Sequence, residues 1–461
     1  MIPLRLDEVA AAVRGRLTDA PDPGLMVSGP VVVDSRAAQP GSLFVAVRGE
    51  RRDGHDFAAA ARAAGAVAVL AARPVGGPAV LVPDPVAALG ALARAVLDRL
   101  AGGVTVVGVT GSSGKTGTKD LCAQVLARRG PTVAPPGSYN NEIGVPLTVL
   151  RADRDTRHLV LEMGARGVGH IRRLCEVAPP RVGVVLNVGS AHLGEFGSRE
   201  RIAEAKGELV AALPADGWAV LNGDDPLVAA MAKRTAARVI TWGQGPGVQV
   251  RAERVRLDGG RPVFWLRSPA GSAEVRLGLV GPHQVGNAVA AAAASLALGQ
   301  PLAEVAEALG AARSLSPWRM EVHERPDGVT VVNDAYNANP ESMRAALEAL
   351  VALAGTRRTW AVLGEMRELG EAAPVAHAEV GRWAARLGVG CVVAVGAPAA
   401  PIHDAARAEG ACAVPVPDGT AAVELLSARL APGDVVLVKA SRAAGLERVA
   451  DALREPPGAV G

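Results

Sequence analysis

Val104-Thr105-Val106-Val107-Gly108-Val109, followed by Thr110-Gly111-Ser112-Ser113-Gly114-Lys115-Thr116, reads as an apolar β-rich run, a glycine turn, then Lys and Thr. From Asp120 onward, Leu121, Cys122, Val125 and Leu126 recur at helical spacing. Strand, glycine loop and helix in that order are the context a phosphate-binding loop requires. Glycines let main-chain N–H groups point at phosphate oxygens, and a helix N-terminus favours negative charge. Gly111, Ser112, Ser113 and Gly114 supply the loop. Lys115 is placed to neutralise β- and γ-phosphates, and the Thr116 hydroxyl to take one position on Mg²⁺. The general pattern has a further Gly five residues before the Gly-Lys pair, where this chain carries Val109.

Around this loop the chain is long. Its 461 residues allow two or three domains, and 49% of them are hydrophobic, enough to fill real cores. A net charge of +3, few aromatics and no basic tract argue against a nucleic-acid partner. Met1-Ile2-Pro3-Leu4-Arg5 lacks the basic start and apolar core of a signal peptide. The alanine-rich stretch 286–302 is broken by Asn287, Gln300 and Pro301, so it reads as a buried helix and not a membrane span. Cys122, Cys175, Cys391 and Cys412 are scattered and read as buried thiols of a reducing compartment. These features together predict a cytoplasmic protein.

Basic residues are overwhelmingly Arg. Lysine occurs only at positions 115, 119, 206, 233 and 439. Where Arg serves for generic charge, the remaining lysines are candidates for chemistry that a guanidinium cannot perform.

The first hundred residues read as one α/β unit, with strands at 31–33 and 43–47, a helix over 56–64, a strand at 66–70 and a helix ending near Leu100. Ala101-Gly102-Gly103 reads as a hinge. From Val104 to about Ala312 strands alternate with helices, which argues for a mostly parallel sheet. The segment 248–279 breaks this rhythm as an antiparallel insert. A third α/β unit begins near Ser314-Leu315-Ser316-Pro317-Trp318.

Two carboxyl-terminal strand ends carry chemistry. Glu162 closes the apolar run Leu159-Val160-Leu161, where a carboxylate beside a P-loop holds Mg²⁺ or its water; a helix cap is the plain alternative. Asn187-Val188-Gly189-Ser190-Ala191-His192 follows another apolar strand and brings His192 to the same rim. Lys206, within the helical pattern 202–209, reads by itself as a solvated lysine.

In this order the P-loop, Glu162-Met163-Gly164-Ala165, Ala191-His192 and Ala205-Lys206 resemble the successive signatures of the Mur ligases, cytoplasmic ATP-dependent enzymes that build the peptide stem of peptidoglycan. Family P-loops lack the earlier Gly, which accounts for Val109. Gly281-Pro282-His283-Gln284-Val285-Gly286-Asn287 resembles the family's adenine-binding segment. Asn140-Asn141-Glu142-Ile143-Gly144-Val145-Pro146, Asp334-Ala335-Tyr336-Asn337-Ala338-Asn339-Pro340, Gly364-Glu365-Met366-Arg367-Glu368-Leu369-Gly370 with His377, and Lys439-Ala440-Ser441-Arg442 are most similar to one branch. That branch adds D-alanyl-D-alanine to UDP-N-acetylmuramoyl-tripeptide. The Asp-Asn-Pro-Arg motif of the diaminoacid-adding branch is missing. Gly117 departs from relatives that often carry Ser or Thr, and weakens the first helical turn.

The resemblance implies three α/β domains: 1–100 for the UDP-sugar, 101–312 for ATP and 313–461 to complete the ligase. It implies ATP and two Mg²⁺ ions as cofactors, one ion on Thr116 and Glu162, the other supported by His192 and a carbamylated Lys206. His283 and Asn287 would contact adenine, Asp334 the ribose and Arg319 the γ-phosphate. Asp34, Ser35 and Arg36 would bind the UDP end. Asn140, Asn141, Glu142, Tyr336, Asn337 and Asn339 are candidates for the peptide substrates. A monomer is expected, closing its third domain over the nucleotide. Another ligase of the superfamily, or a P-loop ATP switch that needs neither His192 nor Lys206, is the rival reading.

Overall fold

The computed structural model describes residues 1–100, 102–189 and 193–455. Among them the strands form four sheets.

The P-loop strand, Thr105–Thr110, lies inside the largest sheet, between His158–Glu162 and Val182–Val185. All three are buried on both faces, as parallel strands covered by helices must be. Outward from Val182–Val185 the sheet continues through Trp218–Asn222 and Arg238–Gly243, both parallel. The segment expected as an antiparallel insert continues this same sheet: Val250–Asp258 pairs parallel with Arg238–Gly243, then Arg261–Ser268 and Gly271–Arg276 add antiparallel strands. The helix Lys115–Leu126 starts at the loop itself, earlier than the apolar spacing alone indicates. It packs against Gln284–Ala297, in which Ala288, Val289 and Ala290–Ala294 are all fully buried. Small side chains let these two helices approach closely, which brings Asn287 to the phosphate loop.

The N-terminal unit is docked firmly onto this sheet. Its helix Pro85–Arg99 is capped by Asp84, which accepts from Val86 N (2.8 Å) and Ala87 N (3.1 Å). Leu89, Leu92 and Val96 on one face are fully buried, each worth about 1.5–3 kcal/mol. They belong to a single apolar core shared with Val145, Val149, Ile171 and Leu174 of the central domain. Ala101 of the expected hinge lies outside the described residues; the units before and after it share one core.

In the third unit the strands run Glu321–Glu324, Thr330–Asn333, Val435–Lys439, Thr359–Leu363, Cys391–Val395 and Ala413–Val416, all parallel except the first pair. Register pairs Asn333 with Val438, so Asp334 and Lys439 leave neighbouring strand ends together.

The cysteines differ from expectation. Cys122 and Cys175 are buried free thiols, but Cys391 and Cys412 form a disulfide. Parallel register matches Val392 with Ala413, which sets the two preceding cysteines side by side with Cα atoms 4.7 Å apart, within the span a disulfide bridges. Among the described residues no helix is long and apolar enough to cross a membrane.

Candidate active site

A cavity of about 1030 Å³ opens where the P-loop strand ends, with the third domain as its opposite wall. Ser112 to Thr116, Glu162 and Lys206 line one side; Arg319, Asp334, Tyr336 and Lys439 line the other. Sequence positions more than two hundred residues apart thus share one space.

Gly114 begins the helix with φ +79°, a left-handed conformation suited to glycine. A Cβ there would stand 2.6 Å from Asn287 Oδ1. Gly117 faces the same amide, and a Cβ on it would meet Asn287 Nδ2 at 3.0 Å. Its bare α-carbon gives Asn287 room, a packing reason beyond the weaker helical turn expected from sequence. Asn287 donates to Gln284 Oε1 (2.9 Å) and accepts from Thr118 Oγ1 (3.3 Å). His283, also on the cavity wall, is held neutral by burial, and its Nδ1 has no partner among the described residues.

Lys115 Nζ folds back onto the loop, donating to Gly111 O (2.8 Å) and Ser112 O (3.4 Å). Burial lowers its pKa, Glu162 raises it again and Arg319 lowers it. Both cations therefore act on the same volume.

Glu162 is 1% exposed and accepts three hydrogen bonds. Thr116 Oγ1 donates to Oε2 at 2.8 Å, while Ser138 Oγ (2.6 Å) and Asn140 Nδ2 (2.7 Å) donate to Oε1. A hydroxyl and a carboxylate meeting beside a phosphate loop are the hard oxygen donors that suit Mg²⁺, which keeps several waters and phosphate oxygens as its other ligands. Among the described residues no group of three or more His, Cys, Asp or Glu is placed to hold a metal.

Lys206 stands on the helix Arg199–Ala211 and is 4% exposed, against its reading as a solvated side chain. Burial, then Lys115, pushes its pKa well below that of an ordinary lysine. His192 lies outside the described residues. The chain leading to it is tied to the P-loop as far as Gly189, whose N–H donates to Ser112 Oγ (2.9 Å). Asn187, a residue that sequence reasoning passed over, accepts through Oδ1 from the main-chain N–H groups of Ser112 and Ser113, both at 3.0 Å.

On the opposite wall, the guanidinium of Arg319 lies 4.3 Å from the ring centroid of Tyr336. Asp334 accepts from Met320 N through Oδ1 (3.1 Å) and from Lys439 Nζ through Oδ2 (2.6 Å). The candidate peptide-binding residues Asn140, Asn141, Glu142, Tyr336, Asn337 and Asn339 all line the cavity, several with another task as well. Asn140 holds Glu162, as above. Asn141 Oδ1 accepts from Gly144 N (2.9 Å) at a helix start. Asn339 caps Pro340–Ala354, accepting from Ser342 N (2.8 Å) while Ser342 Oγ accepts from Asn339 N (3.0 Å). His377 is a structural pin: its Nε2 accepts from Met366 N (2.8 Å) and its Nδ1 donates to Ala373 O (2.7 Å).

Asp34, Ser35 and Arg36 stand apart from the cavity, on the N-terminal unit. Asp34 caps the turn Ser35–Ala37, and its hydrogen bonds from Arg36 lower its pKa to about 2. The charged loop after Gly49 is closed into a turn in which buried His55 Nδ1 meets Asp53 Oδ1 (2.6 Å) and His55 Nε2 accepts from Ala72 N (2.9 Å). A recess of about 480 Å³ beside it is lined by Arg48, Asp53, His55 and Arg73.

Three family models match in order: Mur ligase family, catalytic domain (residues 30–95), Mur ligase middle domain (109–295) and Mur ligase, glutamate ligase domain (318–442). The UDP-N-acetylmuramoyl-tripeptide–D-alanyl-D-alanine ligase of Mycobacterium tuberculosis (strain ATCC 25618 / H37Rv) is 53% identical, over 98% of each chain. The enzyme of the same name from Escherichia coli K12 is 35% identical, over 99% of each chain. Among solved structures, MurF from Acinetobacter baumannii superimposes with a TM-score of 0.88 at 31% identity, covering 98% of this chain and 99% of that one. MurF ligase from Thermotoga maritima in complex with ADP gives 0.80 at 34% identity, covering 93% and 97%. With the three models matched in sequence order and these relatives aligned nearly end to end, the chain belongs to the Mur ligase family.

Proposed function

We infer that the chain joins D-alanyl-D-alanine to UDP-N-acetylmuramoyl-tripeptide at the expense of ATP, giving the pentapeptide, ADP and phosphate. The observation that carries this reading is the single cavity into which Lys115, Glu162, Lys206, Arg319 and Asp334 all open. A ligase must bring two anions, a triphosphate and a carboxylate, into contact, and in this space Lys115 and Arg319 supply positive charge from opposite walls, with the Glu162 carboxylate beside the phosphate loop.

In the proposed reaction the terminal carboxylate of the tripeptide attacks the γ-phosphorus and ADP leaves. The amine of the dipeptide then attacks the acyl carbon, loses a proton and expels phosphate. The loop 111–116 cradles the phosphates, with Lys115 turning from its own main chain to the β- and γ-oxygens. Arg319 meets the γ-phosphate from the third domain. His283 and Asn287 face the base and Asp334 the ribose. Thr116 and Glu162 would hold one Mg²⁺, and His192 with carbamylated Lys206 a second; these ions supply charge neutralisation on the transferred phosphoryl group. A buried lysine with a depressed pKa is neutral often enough to take up CO₂, and carbamylation would turn it into an anion.

Residues 1–100 are proposed to take the UDP end through Asp34, Ser35 and Arg36, 101–312 the nucleotide, and 313–461 the incoming dipeptide. Asn140, Asn141, Glu142, Tyr336, Asn337 and Asn339 are proposed to read the peptides, since an amide left unpaired by a wrong ligand is costly. A monomer is proposed as the working unit. With ATP and a UDP-linked precursor as substrates, the reaction is proposed to run in the cytoplasm. The test is phosphate release that requires both the nucleotide tripeptide and D-alanyl-D-alanine.

A further inference from the structure

Lys439 has no part in the reaction described above, yet it is among the most completely buried side chains of the protein, at 1% exposure. Its ammonium donates to Asp334 Oδ2 (2.6 Å) and Asn337 O (2.8 Å). The other oxygen of Asp334 accepts from Met320 N (3.1 Å). Met320 has φ +49° and Trp318 φ +57°, so Arg319 is flanked on both sides by left-handed residues that are not glycine. Such a backbone persists only where its surroundings over-determine it. The restraints are visible: Asp334 on Met320 N, Glu321 Oε2 on Trp318 N (3.2 Å), and Tyr336 N on Trp318 O (3.3 Å).

We infer that Lys439 is a positioning residue: by fixing the Asp334 carboxylate it holds the Trp318–Met320 turn, and so aims Arg319 at the phosphate loop. A carboxylate this buried needs a cation, and the cation must also reach a carbonyl oxygen in a different direction. A compact ammonium with three rotatable donors does this, whereas a planar guanidinium fork does not. That is a reason for lysine here in a chain that otherwise uses Arg almost throughout. With its donors engaged by Asp334 and Asn337, Lys439 is poorly placed to serve a substrate directly. Burial lowers its pKa, Asp334 raises it and Arg319 lowers it, so the guanidinium lies within electrostatic reach of the pair.

The inference rests on the reading in which Arg319 meets the γ-phosphate. The test is calorimetric affinity for Mg·ADP and for a non-hydrolysable Mg·ATP analogue in the wild type, Arg319→Ala, Lys439→Met and the double variant Asp334→Asn/Lys439→Met. The readout is the preference for analogue over ADP, in which effects on base and ribose cancel. The double variant leaves no buried carboxylate without a cation and keeps an acceptor for Met320 N, so it covers the case in which Lys439→Met alone fails to fold. The expected result is a preference reduced about tenfold, or about 1.4 kcal/mol, in Arg319→Ala and in the folded Lys439 variants. A wild-type preference in the folded Lys439 variants, with Arg319→Ala reduced, overturns the inference and leaves the Arg319 reading standing. An unchanged preference in Arg319→Ala overturns the Arg319 reading, and the inference with it.

Discussion

Replacing Glu162 by Gln removes one negative charge and almost nothing else. The amide oxygen can stay where Ser138 Oγ and Asn140 Nδ2 donate. The amide nitrogen then faces Thr116 Oγ1, a hydroxyl that can turn and accept. Each bond falls from a charge-assisted value of about 1.5–3 kcal/mol to a neutral one of about 0.5–1.5. Relief from burying a carboxylate that is 1% exposed offsets much of this, so folding stability should move by no more than about 1–2 kcal/mol. Function should fare worse. Glu162 raises the pKa of Lys115 against burial and Arg319, which lower it. Without it the phosphate site loses both the carboxylate proposed for Mg²⁺ and the counter-charge of its lysine. A preorganised electrostatic contact of this kind is worth about 3–4 kcal/mol in the transition state, or roughly 10²–10³ in rate. The assay is steady-state phosphate release with all substrates saturating, over a Mg²⁺ titration, beside a thermal melt. Turnover within tenfold of wild type in a folded Glu162→Gln protein, with an unchanged Mg²⁺ requirement, would refute the assignment.

Two other perturbations separate chemistry from packing. Lys206→Arg keeps the charge but cannot be carbamylated, so it should be nearly inactive, and Lys206→Ala should be partly rescued by formate; full activity in Lys206→Arg removes the carbamate. Because burial depresses the pKa of Lys206, a larger fraction of it is neutral at a given pH than of an ordinary lysine, and wild-type activity lost in bicarbonate-depleted buffer should return on adding bicarbonate. The same depression means that the unfolded chain holds the extra proton between the folded value and 10.5, so this group favours folding more as pH rises through that range. Gly114→Ala adds the cost of a left-handed alanine, about 1–2 kcal/mol, and drives a methyl onto Asn287 Oδ1, so ADP affinity should fall about tenfold; an unchanged affinity means Asn287 is not held by the loop.

The phosphate half of the site was legible because its chemistry is local. Strand Thr105–Thr110, the loop and helix Lys115–Leu126 follow one another without a break, and Glu162 announces itself as a charged residue closing an apolar run. What sequence did not reveal depends on register and packing between distant segments. Asn140 serves Glu162 through a contact across 22 residues, and the Asp334–Lys439 pair spans 105. Neither spacing has a local signature, although Lys439 was marked by its rarity as a lysine. Lys206 read as solvated from its helical pattern alone, but it is buried, and Glu208 on the same helix turns inward and accepts from Arg172 N (3.0 Å). The Cys391–Cys412 pair follows from the register of two parallel strands, which no spacing rule encodes. The shared core beneath Pro85–Arg99 likewise appears only once Leu89 and Ile171 meet, so a Gly-Gly pair alone suggested more freedom than the packing allows.

The measurement that bears most directly on the central claim is phosphate release from ATP with UDP-N-acetylmuramoyl-tripeptide present, comparing D-alanyl-D-alanine with single amino acids. The account expects rapid release only with the dipeptide, one phosphate for each pentapeptide formed, and loss of that release in Lys115→Ala. Equal release with a single diaminoacid, or hydrolysis that proceeds without any peptide, would contradict it.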